Sequence, residues 1–281
     1  MTGTDPILEV SGVSIRFGGV AALSDVSFAV LPGEFFAIIG PNGAGKSTLF
    51  NCMSGLFPPT GSIRLNGTEL VGRKPWQIAT LGLGRTFQNL GLFDSLSVID
   101  NLMVGRHVRI RGGVLDGALR AGPARRAERA ARLRCHAIID LLDLEAYCHE
   151  DVATLPYGIR KRVELGKALA MDPTVLLLDE PVGGMNREET EHLVHYITSA
   201  QDELGLTIVL IEHDVGMVMD VADRVLALDF GKVIGLGLPD EIRHNPAVIE
   251  AYLGVDVAAV SAPSPSPGAE ERDEQEREAM T

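Results

Sequence analysis

A chain of 281 residues, 46% of them hydrophobic and 22% charged, is long enough to bury the core of one large domain, or of a domain carrying a subdomain. Its formal net charge of −13 has the wrong sign for non-specific binding to nucleic acid, whose phosphates need a basic surface, and no apolar run approaches the roughly 18 residues that cross a bilayer. Three cysteines, Cys52, Cys135 and Cys148, form neither a disulfide framework nor a metal-ligand cluster by number and spacing, which fits a reduced, intracellular setting.

The stretch Met1 to Val10 holds Asp5 and Glu9 and no basic n-region, so a signal peptide is not expected. Val10 to Val30 alternates short β-like runs around Gly18-Gly19. Glu34 to Ile39 is a compact apolar run that closes on Gly40-Pro41-Asn42-Gly43-Ala44-Gly45-Lys46-Ser47-Thr48, and Lys46 to Gly55 then reads as a helix. A G-x-x-x-x-G-K-[ST] pattern between a strand and a helix is a phosphate loop. Its glycines let backbone N–H groups wrap a phosphate, and the helix N-terminus adds partial positive charge. Lys46 is expected to reach the β- and γ-phosphates of a nucleotide, and Ser47 to ligate Mg²⁺. Ser62 to Asn66 is a further short strand, closed by the turn pair Asn66-Gly67.

The texture changes near Gln88. Val98 to His107, Pro123 to Leu144 and Gly158 to Met171 read as helices. Arg106 to Arg134 carries nine arginines against Asp116 and Glu128, punctuated by Gly112-Gly113 and Gly122-Pro123. That stretch is either a solvated helical face or a surface for membrane subunits or anionic headgroups, which is worth roughly 1 kcal/mol per close charge. Val175 to Leu178 is a fully apolar strand that delivers Asp179 and Glu180 to its carboxyl edge, where α/β sheets bind ligands. Asp179 is placed to hold Mg²⁺ through water and Glu180 to polarise an attacking water.

Arg187 to Leu204 is an amphipathic helix, Thr207 to Ile211 a buried β-branched strand, and Arg224 to Asp229 with Lys232 to Leu236 a last pair around Phe230-Gly231. Strands alternating with helices predict a mostly parallel sheet covered on both faces. From Asp256 onward, seven acidic residues and two arginines follow an Ala-Pro-Ser run, a composition expected to stay disordered.

The order of these motifs resembles an ABC-transporter nucleotide-binding domain. The resemblance implies a P-loop NTPase (RecA-like) α/β core with a small antiparallel β subdomain and an inserted helical subdomain at about 89–158, all within 7–254, and a tail at 255–281. Residue by residue, Gln88 matches the family's Q-loop glutamine, which contacts Mg²⁺ or the lytic water, and His213 matches its switch histidine, which contacts the γ-phosphate. Phe17 resembles the aromatic platform for adenine. Met185 and Asn186 fall in the D-loop, where Asn186 replaces the usual Asp. At the signature, where the family usually reads Leu-Ser-Gly-Gly-Gln, this chain has Leu155-Pro156-Tyr157-Gly158-Ile159. The serine hydroxyl and the glutamine are missing, so the Gly158 amide and the following helix dipole are left to face the γ-phosphate bound on an opposing subunit.

That variant, with Phe17-Gly18-Gly19-Val20, Gly84-Arg85-Thr86-Phe87-Gln88-Asn89, Gly183-Gly184-Met185-Asn186 and Ile249 to Gly254, is similar to the larger ATPase subunit of branched-chain (hydrophobic) amino-acid uptake systems. The resemblance implies ATP and Mg²⁺ as cofactors and a peripheral place on the cytoplasmic face of the membrane. It also implies transmembrane permease subunits, a second ATP-binding subunit (a paralogue or a second copy) and, indirectly, a substrate-binding protein. Other amino acids, amides or urea remain open as transported substrates, and a non-transport ABC ATPase or another P-loop class is the rival reading. A single cassette, no long coiled coil and no Asn-Lys-x-Asp guanine reader weigh against those rivals.

Overall fold

The computed structural model describes residues 5–86, 90–107 and 122–252. Gln88, the tail 255–281 and three of the nine arginines (Arg109, Arg111, Arg120) lie outside the described residues. Strands β1 (Leu8–Phe17) and β2 (Val20–Val30) form a long antiparallel hairpin, and β4 (Thr60–Leu65) and β5 (Thr68–Glu69) complete a four-stranded sheet in the order β2-β1-β4-β5. The sequence predicts short interrupted strands here. The strands are long, but their register slips between Val10 and Val13 and twice more before Arg16, which breaks the alternation of apolar residues.

The second sheet has six strands. Its members are β3 (Phe35–Ile39), β6 (Leu83–Arg85), β7 (Val175–Asp179), β8 (Thr207–Ile211), β9 (Arg224–Asp229) and β10 (Lys232–Gly237), in the order β10-β9-β3-β8-β7-β6. All neighbours run parallel except β10, an antiparallel edge. The three central strands β3, β7 and β8 are buried along their whole length, which is why they read as continuous apolar runs without alternation.

Period-two geometry sends alternate residues of each of these strands into different cores. Phe35, Ala37 and Ile39 of β3 face one core, and Phe36 and Ile38 face the other. The same division holds for Leu176 and Leu178 against Val175 and Leu177, and for Ile208 and Leu210 against Val209 and Ile211. The Phe36 face packs against helix α1 (Lys46–Met53) and the antiparallel sheet. The Ala37 face packs against the helices that follow β6, namely α3 (Val98–Arg106), α4 (Gly122–Leu141), α5 (Tyr157–Leu169) and α6 (Arg187–Leu204).

Shorter helices include α2 (Pro75–Leu81), α7 (Val215–Val221) and α8 (Pro239–Arg243). Helix α6 begins at a capping box, with Asn186 accepting from the Glu189 amide and Glu189 accepting from the Asn186 amide, and ends at Gly205 in the left-handed region. Helices α3 and α5 cross closely at Gly105, where an added Cβ would stand 2.2 Å from the Lys167 carbonyl oxygen.

The arginine-rich stretch divides. Arg125, Arg126, Arg129 and Arg132 are exposed, as the sequence predicts, but Arg106 and Arg134 both pair with Asp172, in the turn after α5. Burial pushes the Asp172 carboxyl up, and hydrogen bonds from the two guanidinium groups more than offset it, leaving its pKa lowered. These two arginines serve the internal packing of the helical layer.

Candidate active site

The site lies at the carboxyl ends of β3, β7 and β8, the edge where an open parallel sheet leaves space between loops. Its base is the loop between β3 and α1. Gly40 has φ 150°, and a Cβ there would fall 2.1 Å from the Leu228 carbonyl oxygen. Gly45, at φ 104°, would bring a Cβ within 2.7 Å of the Ala22 carbonyl oxygen. Only glycine fits the loop at these two positions. Gly45 caps α1 without a side-chain hydrogen bond, so the amides of the first turn stay available to an anion.

Asn42, Gly43, Ala44, Gly45, Lys46, Ser47 and Thr48 line an open cleft of about 500 Å³, and Glu180 and His213 close its other side. The Lys46 ammonium donates to the carbonyl oxygens of Gly40 at 2.6 Å and Pro41 at 3.1 Å. Burial lowers the Lys46 pKa, and the nearby Glu180 and Asp179 carboxylates pull it back up. The fifth loop residue, Ala44, is buried and accepts through its carbonyl from the Gly231 amide, which fastens the loop to the β9–β10 turn.

Strand β7 ends in Asp179, which is 4% exposed, and the chain then turns sharply at Glu180, held in the left-handed region at φ 49°. A non-glycine residue there is strained by about 1 kcal/mol. The turn aims the Glu180 carboxylate at His213, and Nε2 stands 2.5 Å from Oε1. Between them Glu212 acts as a scaffold. Its carboxylate accepts from the Val182 amide at 3.1 Å and the His213 amide at 3.0 Å, tying the segment after β7 to the segment after β8. Burial raises the Glu212 pKa, partly offset by those two hydrogen bonds.

Arg85 is a site residue to which the Gly84-to-Asn89 motif alone assigns no role. Its guanidinium lies 2.7 Å from Asp179 Oδ2, with side chains only 9% and 5% exposed, and it also donates to Asn51 Oδ1 and Ser54 Oγ. The pair joins residues 94 positions apart, a distance over which no local pattern exists, and β6 is too short to announce itself as a strand. Thr86 follows and accepts from the Asp179 amide at 3.3 Å. The next residues of the motif, Phe87, Gln88 and Asn89, are not described.

The remaining predicted residues fall in three places. Phe17 ends β1, is 46% exposed and meets Phe57 edge-on, with centroids 5.1 Å apart; it is not among the residues lining the phosphate cleft. Leu155 is buried in the helical-side core, Pro156 caps α5, and Tyr157 and Gly158 form its first turn. Met185 and Asn186 lead into α6, and a Cβ on Gly158 would meet both Glu189 Oε1, at 3.1 Å, and the Met185 methyl. The signature and D-loop segments therefore touch within one chain. Near the far end of the described chain the Tyr252 phenol is buried, which raises its pKa.

The oxygen donors assembled here suit a small hard cation. The Ser47 hydroxyl at the cleft and the Asp179 carboxylate at the strand end, with phosphate oxygens of a bound nucleotide, make the all-oxygen set that Mg²⁺ takes.

Residues 23–183 match the family model described as ABC transporter, and residues 232–258 match one described as branched-chain amino acid ATP-binding cassette transporter. The chain is 39% identical over 252 residues to the high-affinity branched-chain amino acid transport ATP-binding protein LivG of Escherichia coli K12, covering 89% of this chain and 99% of LivG. It is 40% identical over 250 residues to the corresponding protein BraF of Pseudomonas aeruginosa, with 89% and 98% covered. Among solved structures it is similar to the ADP conformation of an ATP-binding cassette of an ABC transporter, with a TM-score of 0.77, 26% identity and 89% and 100% of the two chains covered. A nucleotide-free cassette superposes with a TM-score of 0.76 at 26% identity, over 88% and 99% of the chains.

Proposed function

This chain belongs to the ABC transporter family, as an ATP-binding cassette that hydrolyses ATP, and from that premise we propose that it powers the uptake of branched-chain amino acids. The observation that carries the mechanism is the single cleft in which the phosphate loop, Lys46, Glu180 and His213 face one another. The amides of Gly43 to Ser47 and the Lys46 ammonium bind the phosphates, and Phe17 offers a flat ring to the adenine. To reach a γ-phosphate, Lys46 exchanges its two carbonyl partners for phosphate oxygens. Ser47 and Asp179, with Gln88, would hold Mg²⁺, which neutralises charge on the transferring phosphoryl group.

Glu180 orients and polarises the attacking water, and His213, beside it, contacts the γ-phosphate. His213 Nε2 and Glu180 Oε1 lie in hydrogen-bond contact, so the two side chains must part for the water to enter between them. The residue span 7–254 is the working cassette in this reading, with about 89–158 as its helical arm and 255–281 as a tail. Two cassettes close over two ATP molecules, each signature segment, Leu155 to Gly158, meeting the nucleotide of the other subunit beside the D-loop residues Met185 and Asn186. The partner cassette is a paralogue or a second copy. Closure is passed to transmembrane permease subunits, which receive substrate from a binding protein, and the cassette sits on the cytoplasmic face of the membrane. Support for the amino-acid class comes from the names of the relatives and from the C-terminal family match.

The test is ATP hydrolysis by the purified chain beside Glu180→Gln, with size-exclusion chromatography in the presence and absence of ATP and Mg²⁺. Losing a positioned general base lowers turnover by about 10²–10⁴-fold, so E180Q should bind ATP, nearly stop hydrolysing and elute as an ATP-dependent dimer. Wild-type turnover in E180Q removes Glu180 from this role.

A further inference from the structure

We propose that Tyr157 is a positioning residue that couples the signature segment to the hydrolytic segment of the same chain, so that the two ATP sites of a closed dimer act together. Position 157 is a glycine in the usual family signature; here its ring lies on the loop after Glu180. The Tyr157 hydroxyl donates to the Gly183 carbonyl at 3.0 Å. The Gly183 amide in turn donates to the Glu180 carbonyl at 3.2 Å. One residue, Gly183, therefore bridges the backbone of the water-polarising residue and the first turn of the signature helix. The contact is also one of shape: Gly184, at φ 81°, would bring a Cβ within 3.6 Å of the Tyr157 ring and hydroxyl. The Lys161 ammonium stands over the ring, 5.7 Å from its centroid.

The inference rests on the proposed two-ATP dimer. In that arrangement Glu180 serves the nucleotide bound by its own chain, while Tyr157 and Gly158 face the nucleotide of the partner. A contact between them within one chain is a link between two sites. When a partner's γ-phosphate draws the signature turn in or releases it, Gly183 moves with the Tyr157 hydroxyl, and the turn that aims Glu180 moves with Gly183. A ring at position 157 supplies this link where glycine has no side chain to make it.

The test compares the full-length chain with Tyr157→Phe, which keeps the ring and removes the donor. Amide hydrogen exchange over residues 180–186 should quicken about fivefold, the change expected for one lost neutral hydrogen bond. Turnover should fall several-fold, and the Hill coefficient for ATP should drop towards one. Unchanged exchange over 180–186 overturns the coupling whatever the activity, and so do wild-type turnover and cooperativity in Y157F. If the wild-type chain itself hydrolyses no ATP, the proposed function fails first, whereas wild-type hydrolysis with an indifferent Y157F defeats this inference alone. A drop in melting temperature in Y157F without a change at 180–186 marks Tyr157 as a local packing residue and also overturns it.

Discussion

Arg85 and Asp179 show how much the site depends on a single buried charge pair. Asp179 sits at the end of a strand buried along its whole length, and the guanidinium that neutralises it comes from the neighbouring strand. Removing one partner of such a pair strands the other charge in the interior, which costs about 3–5 kcal/mol. We predict that Arg85→Gln loses stability of that order in urea unfolding monitored by circular dichroism, and that Arg85→Lys, which keeps the charge but not the fork to Asn51 and Ser54, loses less. A loss under about 1 kcal/mol in R85Q would mean that the pair is solvated. This residue illustrates what sequence leaves unread. The phosphate loop, Asp179 and Glu180 are legible because a strand followed by a charged or glycine-rich turn is a local pattern, and His213 is reached only through the family resemblance. Arg85 and Glu212 are not, because their work is to hold partners brought together only by the sheet order.

Among the elements, α6 and β8 are read from sequence with the bounds they have in the structure, and the reason is chemical. Asn186 and Glu189 mark one end of α6 and Gly205 the other, and β8 is a β-branched apolar run that stops at Glu212. Helix α2 and strand β6 escape notice, being seven and three residues long, too short for periodicity to register. The α3–α5 crossing is equally hidden. Gly105 looks like a weak point in a helix, and replacing an exposed helical glycine with alanine stabilises by about 1 kcal/mol. Here the added methyl meets the Lys167 carbonyl, and overpacking of a close helix crossing costs about 1–3 kcal/mol. We predict that Gly105→Ala lowers the urea midpoint. A raised midpoint would show that the two helices do not approach so closely.

For the molecule as a whole, the open question is assembly. The phosphate cleft, bounded by the phosphate loop on one side and by Glu180 and His213 on the other, is open, and in the proposed dimer its open side meets the partner's signature segment. We predict that Gly158→Asp abolishes ATP-driven dimerisation of the E180Q background, seen as loss of the early-eluting species on size exclusion, while ATP still binds to the monomer. The new carboxylate would oppose both a partner's γ-phosphate and Glu189, which already stands against this position. An unaltered dimer peak would place the signature turn away from the nucleotide. The departures Pro156, Tyr157 and Ile159 make this experiment more telling than in a chain with the usual signature, since no serine or glutamine side chain stands in reserve.

The two cores that share β3, β7, β8 and β9 have a consequence for how this chain comes apart. Every one of these strands contributes alternate residues to both. Stripping the helices from one face leaves the sheet half-solvated and takes away the support on which the other face rests. The loop that grips phosphate begins where β3 ends, so it has no independent melting point: heat, denaturant or a damaging substitution anywhere in either layer draws on one shared reserve of cooperativity, and nucleotide bound at that loop steadies the helical layer it never touches.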